Sequence, residues 1–351
     1  YKNNKSPKYH ARDVAIERAK ITNSVVVLGS ATPSVETYHK TKTGEIEILK
    51  LTERINKRPL PKISVINLKY INPVSWRAIT KPLKYAMTNA LLQKKQVFLF
   101  VRRRGMATTI KCAICGNIIK CPKCSVPLVA HKNPTQLLCH YCGYRQGFVT
   151  KCSICDGNMI YIGYGTEKIE EIIKKIFPQT EILRIDADSK IQYPEMFQTM
   201  KSGKPCVLIG TQIIARGFDF PEITVVGIIN AYSGLYSADF RSAERTFSLI
   251  THAVGRCGRG TSTGQVIIQT DNPEHYAIKY ASEFDYDSFY ENETKFREDF
   301  LWPPFVKMIG ITILGKNEKV VMSVSEELAN ELDAIVGLTT LGPVPKVVPY
   351  L

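Results

Sequence analysis

Short apolar runs, separated by glycine, proline and polar turns, alternate with segments of helical period along most of the chain. Gln96 to Val101, Val207-Leu-Ile209, Thr224 to Ile229 and Gln265 to Gln269 are nearly unbroken apolar runs, the pattern of strands buried on both faces. Ser24-Val-Val-Val-Leu28, Ile46 to Leu51, Met159 to Gly163 and Glu181 to Ile185 read as further strands. Pro82 to Gln93 reads as a helix. Ile169, Ile172, Ile173 and Ile176 line one face of another, and Phe240, Ala243, Phe247, Ile250 and Val254 line a longer one. Two more helical stretches run from Pro273 to about Asp299. After the break at Trp302-Pro303-Pro304-Phe305, Val306 to Leu314 reads as a strand and Lys319 to Val336 as a helix. The basic, proline-punctuated stretch Asn56 to Pro61 reads as a connector. This order predicts an α/β fold with a parallel sheet covered on both faces.

One window breaks the alternation. Residues 108–157 are rich in turn formers and hold four CxxC pairs: Cys112/Cys115, Cys121/Cys124, Cys139/Cys142 and Cys152/Cys155. Two such pairs supply the four thiolates of a tetrahedral zinc, so four pairs predict two closed structural sites with no open water position. Nesting puts Cys112, Cys115, Cys152 and Cys155 in one shell and Cys121, Cys124, Cys139 and Cys142 in the other. A sequential pairing joins the first two pairs and the last two instead. Nesting is preferred because five residues between the first two pairs are tight for one shell. His131 and His140 are spare candidates that read more simply as surface histidines. Disulfides are the alternative chemistry, but nothing else in the chain points to export.

Charge and length narrow the partners. The 351 residues carry a formal net charge of +15, which favours a polyanion such as nucleic acid, although lysines spread over solvated faces give the same total. No stretch approaches the roughly 18 to 20 continuous apolar residues of a membrane span.

Three other clusters suggest chemistry. His252-Ala-Val-Gly255-Arg256-Cys257-Gly258-Arg259 ends the long helix and sets two guanidinium forks three residues apart, a spacing that suits a triphosphate. Gly210-Thr211-Gln212, running on to Arg216-Gly217-Phe-Asp219-Phe-Pro221, follows a buried strand, where ligands bind in open α/β sheets. Gly29-Ser30-Ala31-Thr32 places small hydroxyls just past a strand, a pattern that also serves helix capping.

In this order the clusters resemble the later motifs of superfamily-two helicases: Ser30-Ala31-Thr32 resembles motif III, Phe98 to Ala107 with Arg103-Arg104-Gly105 motif IV, Gly210 to Pro221 motif V, and His252 to Arg259 motif VI. A cysteine insert between motifs IV and V resembles the PriA family of primosomal replication-restart helicases. Tyr9-His10-Ala11-Arg12-Asp13 is similar to that family's aromatic-rich loop, Ser237 to Arg245 to a family signature, and Leu301 to Phe305 to the start of its C-terminal domain.

The resemblance implies a RecA-like helicase lobe with a zinc-binding insertion and a partial α+β C-terminal domain. It divides the chain into the end of lobe 1 (1–52), an inter-lobe connector (53–80), lobe 2 (81–107 and 158–280), the insert (108–157), and a helical connector with a truncated C-terminal domain (281–351). It implies an ATP-dependent 3′→5′ DNA helicase, cytoplasmic and at replication forks in bacteria, that remodels stalled forks and starts primosome assembly as a monomer. ATP and Mg²⁺ would be its cofactors beside two zinc ions. Single-stranded and forked DNA, primosomal proteins and single-stranded DNA-binding protein would be its partners. Arg256 and Arg259 would act as arginine fingers, Gly217 and Asp219 would help form the ATP cleft, and Ser30 and Thr32 would couple hydrolysis to movement. Tyr9, His10, Arg12, Arg103, Arg104, Thr211 and Gln212 would contact DNA. The 351 residues contain no GxxxxGK[ST] and no DExH, so the chain is expected to be inactive in hydrolysis by itself. The competing reading is a non-catalytic zinc-bearing module, binding DNA or a partner, from a split or decayed gene.

Overall fold

The computed structural model describes the chain except for residues 1, 4–8, 52–58, 72–77, 102–108, 116, 118, 120, 123–127, 133–134, 139–143, 163–164, 186–192, 212–219, 232–234, 236–238, 261–262 and 344–351. It divides into two units, Tyr1–Lys50 and Leu51–Leu351. In the first, β1 (Lys2–Asn3) pairs antiparallel with β2 (Tyr9–His10), followed by α1 (Ala11–Thr22) and α2 (Val35–Lys42). The strands expected at 24–28 and 46–51 are absent. Val25, Val27 and Leu49 are 91%, 88% and 83% exposed. An apolar β-branched run becomes a strand only when a neighbour pairs its backbone, and among the described residues of this unit none does.

The second unit runs β3 (Lys62–Asn67), α3 (Lys81–Leu92), β4 (Gln96–Val101), the short strands β5 (Thr109–Cys112), β6 (Val129–Lys132), β7 (Thr135–Leu138), β8 (Arg145–Gln146) and β9 (Met159–Ile162). It continues with α4 (Thr166–Ile176), β10 (Glu181–Ile185), α5 (Tyr193–Lys201), β11 (Cys206–Gly210), β12 (Ile223–Ile229), α6 (Ser242–Val254), β13 (Gln265–Thr270), α7 (Tyr276–Glu283), α8 (Tyr286–Asp299) and α9 (Glu318–Asp333). Six strands form a parallel sheet in the order β10-β11-β4-β12-β13-β3. Every residue of β4, β11 and β12 is buried, as continuous apolar runs in a doubly covered sheet require.

The edge strand β3 falls inside the stretch 53–80 expected to be connector, just past its basic, proline-punctuated part, and joins the main sheet through β13. Its half-buried residues carry a weaker signal than the central strands. The strand at Met159–Ile162 joins the insert, pairing antiparallel with β5 in a separate sheet ordered β8-β7-β6-β5-β9. The strand expected at 306–314 is also absent, with Ile309 86% exposed, because no neighbour among the described residues offers it a ladder. Phe240 lies just before α6 rather than on it.

Helix α3 and helix α4 seal one face of the sheet. Leu83, Met87, Ile169 and Ile173 are fully buried against Val97, Leu99, Val207 and Ile209. Helix α3 lies so close that a Cβ on Gly227 of β12 would stand 2.8 Å from both Leu83 Cδ1 and Leu99 Cδ2. Gly227→Ala is therefore expected to cost about 1–3 kcal/mol through overpacking. Urea denaturation of the chain measures it, and an unchanged midpoint would show that this contact yields. Buried Gln269 on β13 fixes the entry to α3, accepting from Thr80 N and donating to Ala78 O, both at 2.9 Å.

Candidate functional site

The outer cysteines meet on two like-shaped knuckles. Cys112 ends β5 and Cys152 precedes β9. In the first, Ile114 N–H donates to Cys112 Sγ at 3.4 Å; in the second, Ile154 N–H donates to Cys152 Sγ at 3.4 Å. The knuckles close on the backbone, Cys112 N donating to Asn117 O at 2.7 Å and Cys152 N to Gly157 O at 2.8 Å. Gly157 has no room for a side chain, since a Cβ there would lie 2.9 Å from Cys112 Sγ. Pairing of β5 with β9, Cys112 opposite Met159, brings the knuckles face to face.

Cys112, Cys115, Cys152 and Cys155 then converge, all four sulfurs within 4.8 Å of one another. Cys112 and Cys155 are 3.4 Å apart and Cys115 and Cys152 3.6 Å, far beyond a disulfide bond and close to the edge of about 3.8 Å that four Zn–S bonds of about 2.3 Å produce. The N–H groups of Ile154 and Cys155 lower the Cys152 thiol to about 6, toward the thiolate that a metal needs. Burial pushes Cys112 upward, but N–H donation from Cys115 and Ile114 and the thiol of Cys155 bring it below the usual range. Cys115 moves the other way: N–H donation from Asn117 lowers it, but the thiol of Cys155, burial and the thiols of Cys112 and Cys152 push it up to about 12, as expected where four sulfurs crowd together. The donor set and the spacing fit a closed tetrathiolate zinc.

These four residues form the outer shell of the nested grouping. Of the inner four, Cys121 is buried in a small core with Ile110, Leu128 and Leu137, while Cys124, Cys139 and Cys142 lie outside the described residues.

The arginine loop sits at the other candidate site. Helix α6 carries a buried face of Phe247, Ile250 and Val254 and runs into Gly255. Arg256 and Arg259 follow, both half-buried, with Arg259 Nε donating to Gly255 O at 2.7 Å. Between them Cys257 is fully buried, its thiol donating to Thr224 O at 3.3 Å and Gln265 O at 3.4 Å, so one side chain ties the loop to the starts of β12 and β13. Gly258, at φ 66°, donates its N–H to Ile223 O. A Cβ on Gly260 would meet Pro221 O at 2.6 Å, and one on Gly264 would meet Cys257 Sγ at 2.6 Å. The glycines thus let the loop press against the sheet, which fixes the arginines' origin. Sequence reasoning singled out the arginines but not Cys257, whose contacts come from the strands on either side of the loop. Cys206, the other cysteine outside the insert, is buried beside Met200 and pushed up to about 12 by desolvation, an inert core thiol.

Thr211 follows β11 and is buried. Arg103, Arg104, Gln212, Gly217 and Asp219 lie outside the described residues. In the first unit, Ser30 is exposed and its Oγ accepts from Thr32 N at 3.1 Å, a local turn bond. Tyr9 is 48% exposed, and His10 stands 4.0 Å from Asp13. The Arg12 guanidinium is engaged within the unit, donating to the hydroxyls of Ser34 and Thr37 and to Asp13.

Comparison with known proteins covers both regions. Residues 121–146 match the family model of the PriA DNA helicase Cys-rich region (CRR) domain, and 148–261 match the Helicase conserved C-terminal domain, which ends just past Arg259. The chain is 35% identical to the replication restart protein PriA of Bacillus subtilis over 98% of its length and 44% of that protein. It is 39% identical to PriA of Borreliella burgdorferi over 91% of its length and 48% of that protein, and 40% identical to PriA of Chlamydia pneumoniae over 91% and 44%. Among solved structures it resembles S. cerevisiae Dbp5 bound to RNA and ADP BeF3, at 15% identity over 82% of this chain and 58% of that one, with a TM-score of 0.36. The chain spans about half the length of the curated relatives it matches. With a helicase C-terminal domain directly after a cysteine-rich region, and this identity along nearly its whole length, the chain belongs to the PriA family.

Proposed function

We propose that the chain is the arginine-bearing part of an ATP-driven DNA helicase that acts in replication restart, moving 3′→5′, remodelling stalled forks and starting primosome assembly. The observation that carries this is the identity of 35–40% to replication restart proteins along more than nine-tenths of the chain. Arg256 and Arg259 serve the triphosphate, and Gly217 and Asp219 contribute to the nucleotide cleft. Ser30 and Thr32 link hydrolysis to movement. Tyr9, His10, Arg12, Arg103, Arg104, Thr211 and Gln212 hold the DNA strand, to which the net charge of +15 adds attraction. The phosphate-cradling lysine loop and the Mg²⁺-ordering carboxylates are not among these 351 residues, so the chain by itself does not turn over ATP. Two zinc ions brace the insert, one in each nested shell, and hold no open position for chemistry.

The protein works as a monomer in the bacterial cytoplasm, with single-stranded DNA-binding protein and primosomal proteins as partners. No helix among the described residues is long and apolar enough to cross a membrane. The test uses the intact protein. ATP hydrolysis is expected to rise on adding single-stranded DNA, with unwinding of duplexes that carry a 3′ single-stranded tail. Hydrolysis indifferent to DNA, or a requirement for a 5′ tail, would overturn the reading, and DNA binding with no hydrolysis at all would favour the non-catalytic module.

A further inference from the structure

Arg297 on α8 is 0% exposed, yet it is a full charge. Its guanidinium is shared among three segments of chain. Nε donates to Glu293 Oε1 of α8 itself at 2.8 Å, Nη2 to Glu244 Oε2 in the first turn of α6 at 2.8 Å, and Nη1 to Pro303 O in the turn that follows α8 at 3.0 Å. Tyr276 of α7 completes the network, its hydroxyl donating to Glu293 Oε2 at 2.6 Å. The Arg297 guanidinium also lies 5.1 Å from the centre of the Phe240 ring, which packs 5.6 Å from Trp302. Alongside this network α6 is stacked on α8 through Phe247 and Phe289, 4.3 Å apart.

A buried charge of this kind is a poor way to obtain stability, because apolar residues of similar volume do as well. What a planar fork with three acceptors adds is direction: it fixes the axial position of α6 against α8 and against the Trp302 turn. Helix α6 has 13 residues and spans about 20 Å. Its first turn is gripped by Arg297, and its last turn delivers Arg256 and Arg259. The fork therefore sets the position from which the last turn of α6 enters the loop that bears the arginines, while the sheet holds the loop's far side.

We propose that Arg297, with Glu244 and Glu293, is a positioning network for the arginine loop, coupling the chain beyond Trp302 to the nucleotide step. The proposal rests on the reading that Arg256 and Arg259 serve ATP hydrolysis.

The test measures kcat and KM for ATP in the intact protein, together with the melting temperature, for Arg297→Lys and for the neutral triple variant Glu244→Gln/Glu293→Gln/Arg297→Met. The triple variant removes the fork without stranding a charge. Expected is a melting temperature near the parent's for the triple variant, with kcat down about tenfold and KM within about twofold in both variants. A folded triple variant with the parent's kcat would overturn the proposal, as would a failure of both variants to fold, which would assign the network to stability alone. Arg259→Ala serves as the reference. If it leaves kcat intact, the reading beneath the proposal fails. If it abolishes turnover while the network variants keep theirs, only the coupling fails.

Discussion

Replacing Cys152 with serine is expected to empty the outer metal site and unfold the insert while the parallel sheet stays folded. The reason lies in the two cores. The sheet is sealed by side chains such as Leu83, Met87, Leu99, Ile169 and Ile209, all fully buried. Among the described residues the insert's buried cluster is Ile110, Cys121, Leu128 and Leu137, with Ile119, Tyr144, Phe148 and Met159 packed against it, a small core for strands of two to four residues. Metal binding supplies the missing folding energy, with apparent values of about 10–16 kcal/mol in zinc-finger peptides.

Serine keeps the shape of the side chain but removes the soft thiolate and its lowered pKa. Cobalt substitution reads the metal, with the tetrathiolate absorption expected to fall as the outer shell of Cys112, Cys115, Cys152 and Cys155 loses its ion. Hydrogen exchange reads the fold: amides of 109–112 and 159–162 should lose protection, while those of 96–101, 206–210 and 223–229 keep it. Continued protection of β5 and β9 in the serine variant would show that the insert stands without its outer metal.

How far the sequence reveals this molecule depends on where each element's partners lie. The central strands were readable because β4, β11 and β12 are buried on both faces, and burial on both faces forces an apolar run. The runs at 24–28 and 306–314 carry the same apolar signal without a ladder, since the pattern reports what a segment could bury and not what it meets. β3 escaped for the opposite reason, being half-buried at a sheet edge. Met159–Ile162 has a strand's composition whichever sheet it joins, and only its partner, β5, decides.

At the sites the same division holds. CxxC spacing announces a metal shell because four thiolates serve little else, and Cys112, Cys115, Cys152 and Cys155 converge. Arg297 gives no such announcement. Four residues after Glu293 on a helix it reads as an ordinary surface ion pair, and its other acceptors, Glu244 and Pro303 O, come from separate segments.

In the intact protein, Arg259→Ala is expected to lower kcat for ATP about 10³-fold, which is about 4 kcal/mol of transition-state stabilisation, with a far smaller change in KM. Phosphoryl transfer spreads charge over oxygens that a pre-aligned guanidinium can meet without reorganisation. Arg259 is pre-aligned by its own loop, with Nε on Gly255 O, Cys257 buried between two strands and Gly258 bonded to Ile223 O. Its removal deletes a half-buried side chain from a loop whose backbone is held by other groups. The melting temperature should therefore stay close to the parent's, separating lost chemistry from lost fold. Arg259→Lys tests the geometry: lysine restores the charge without the planar fork and should recover little of the rate. A drop in kcat of less than about tenfold for Arg259→Ala would place this residue outside the transition state and leave Arg256 alone to answer for the loop's design.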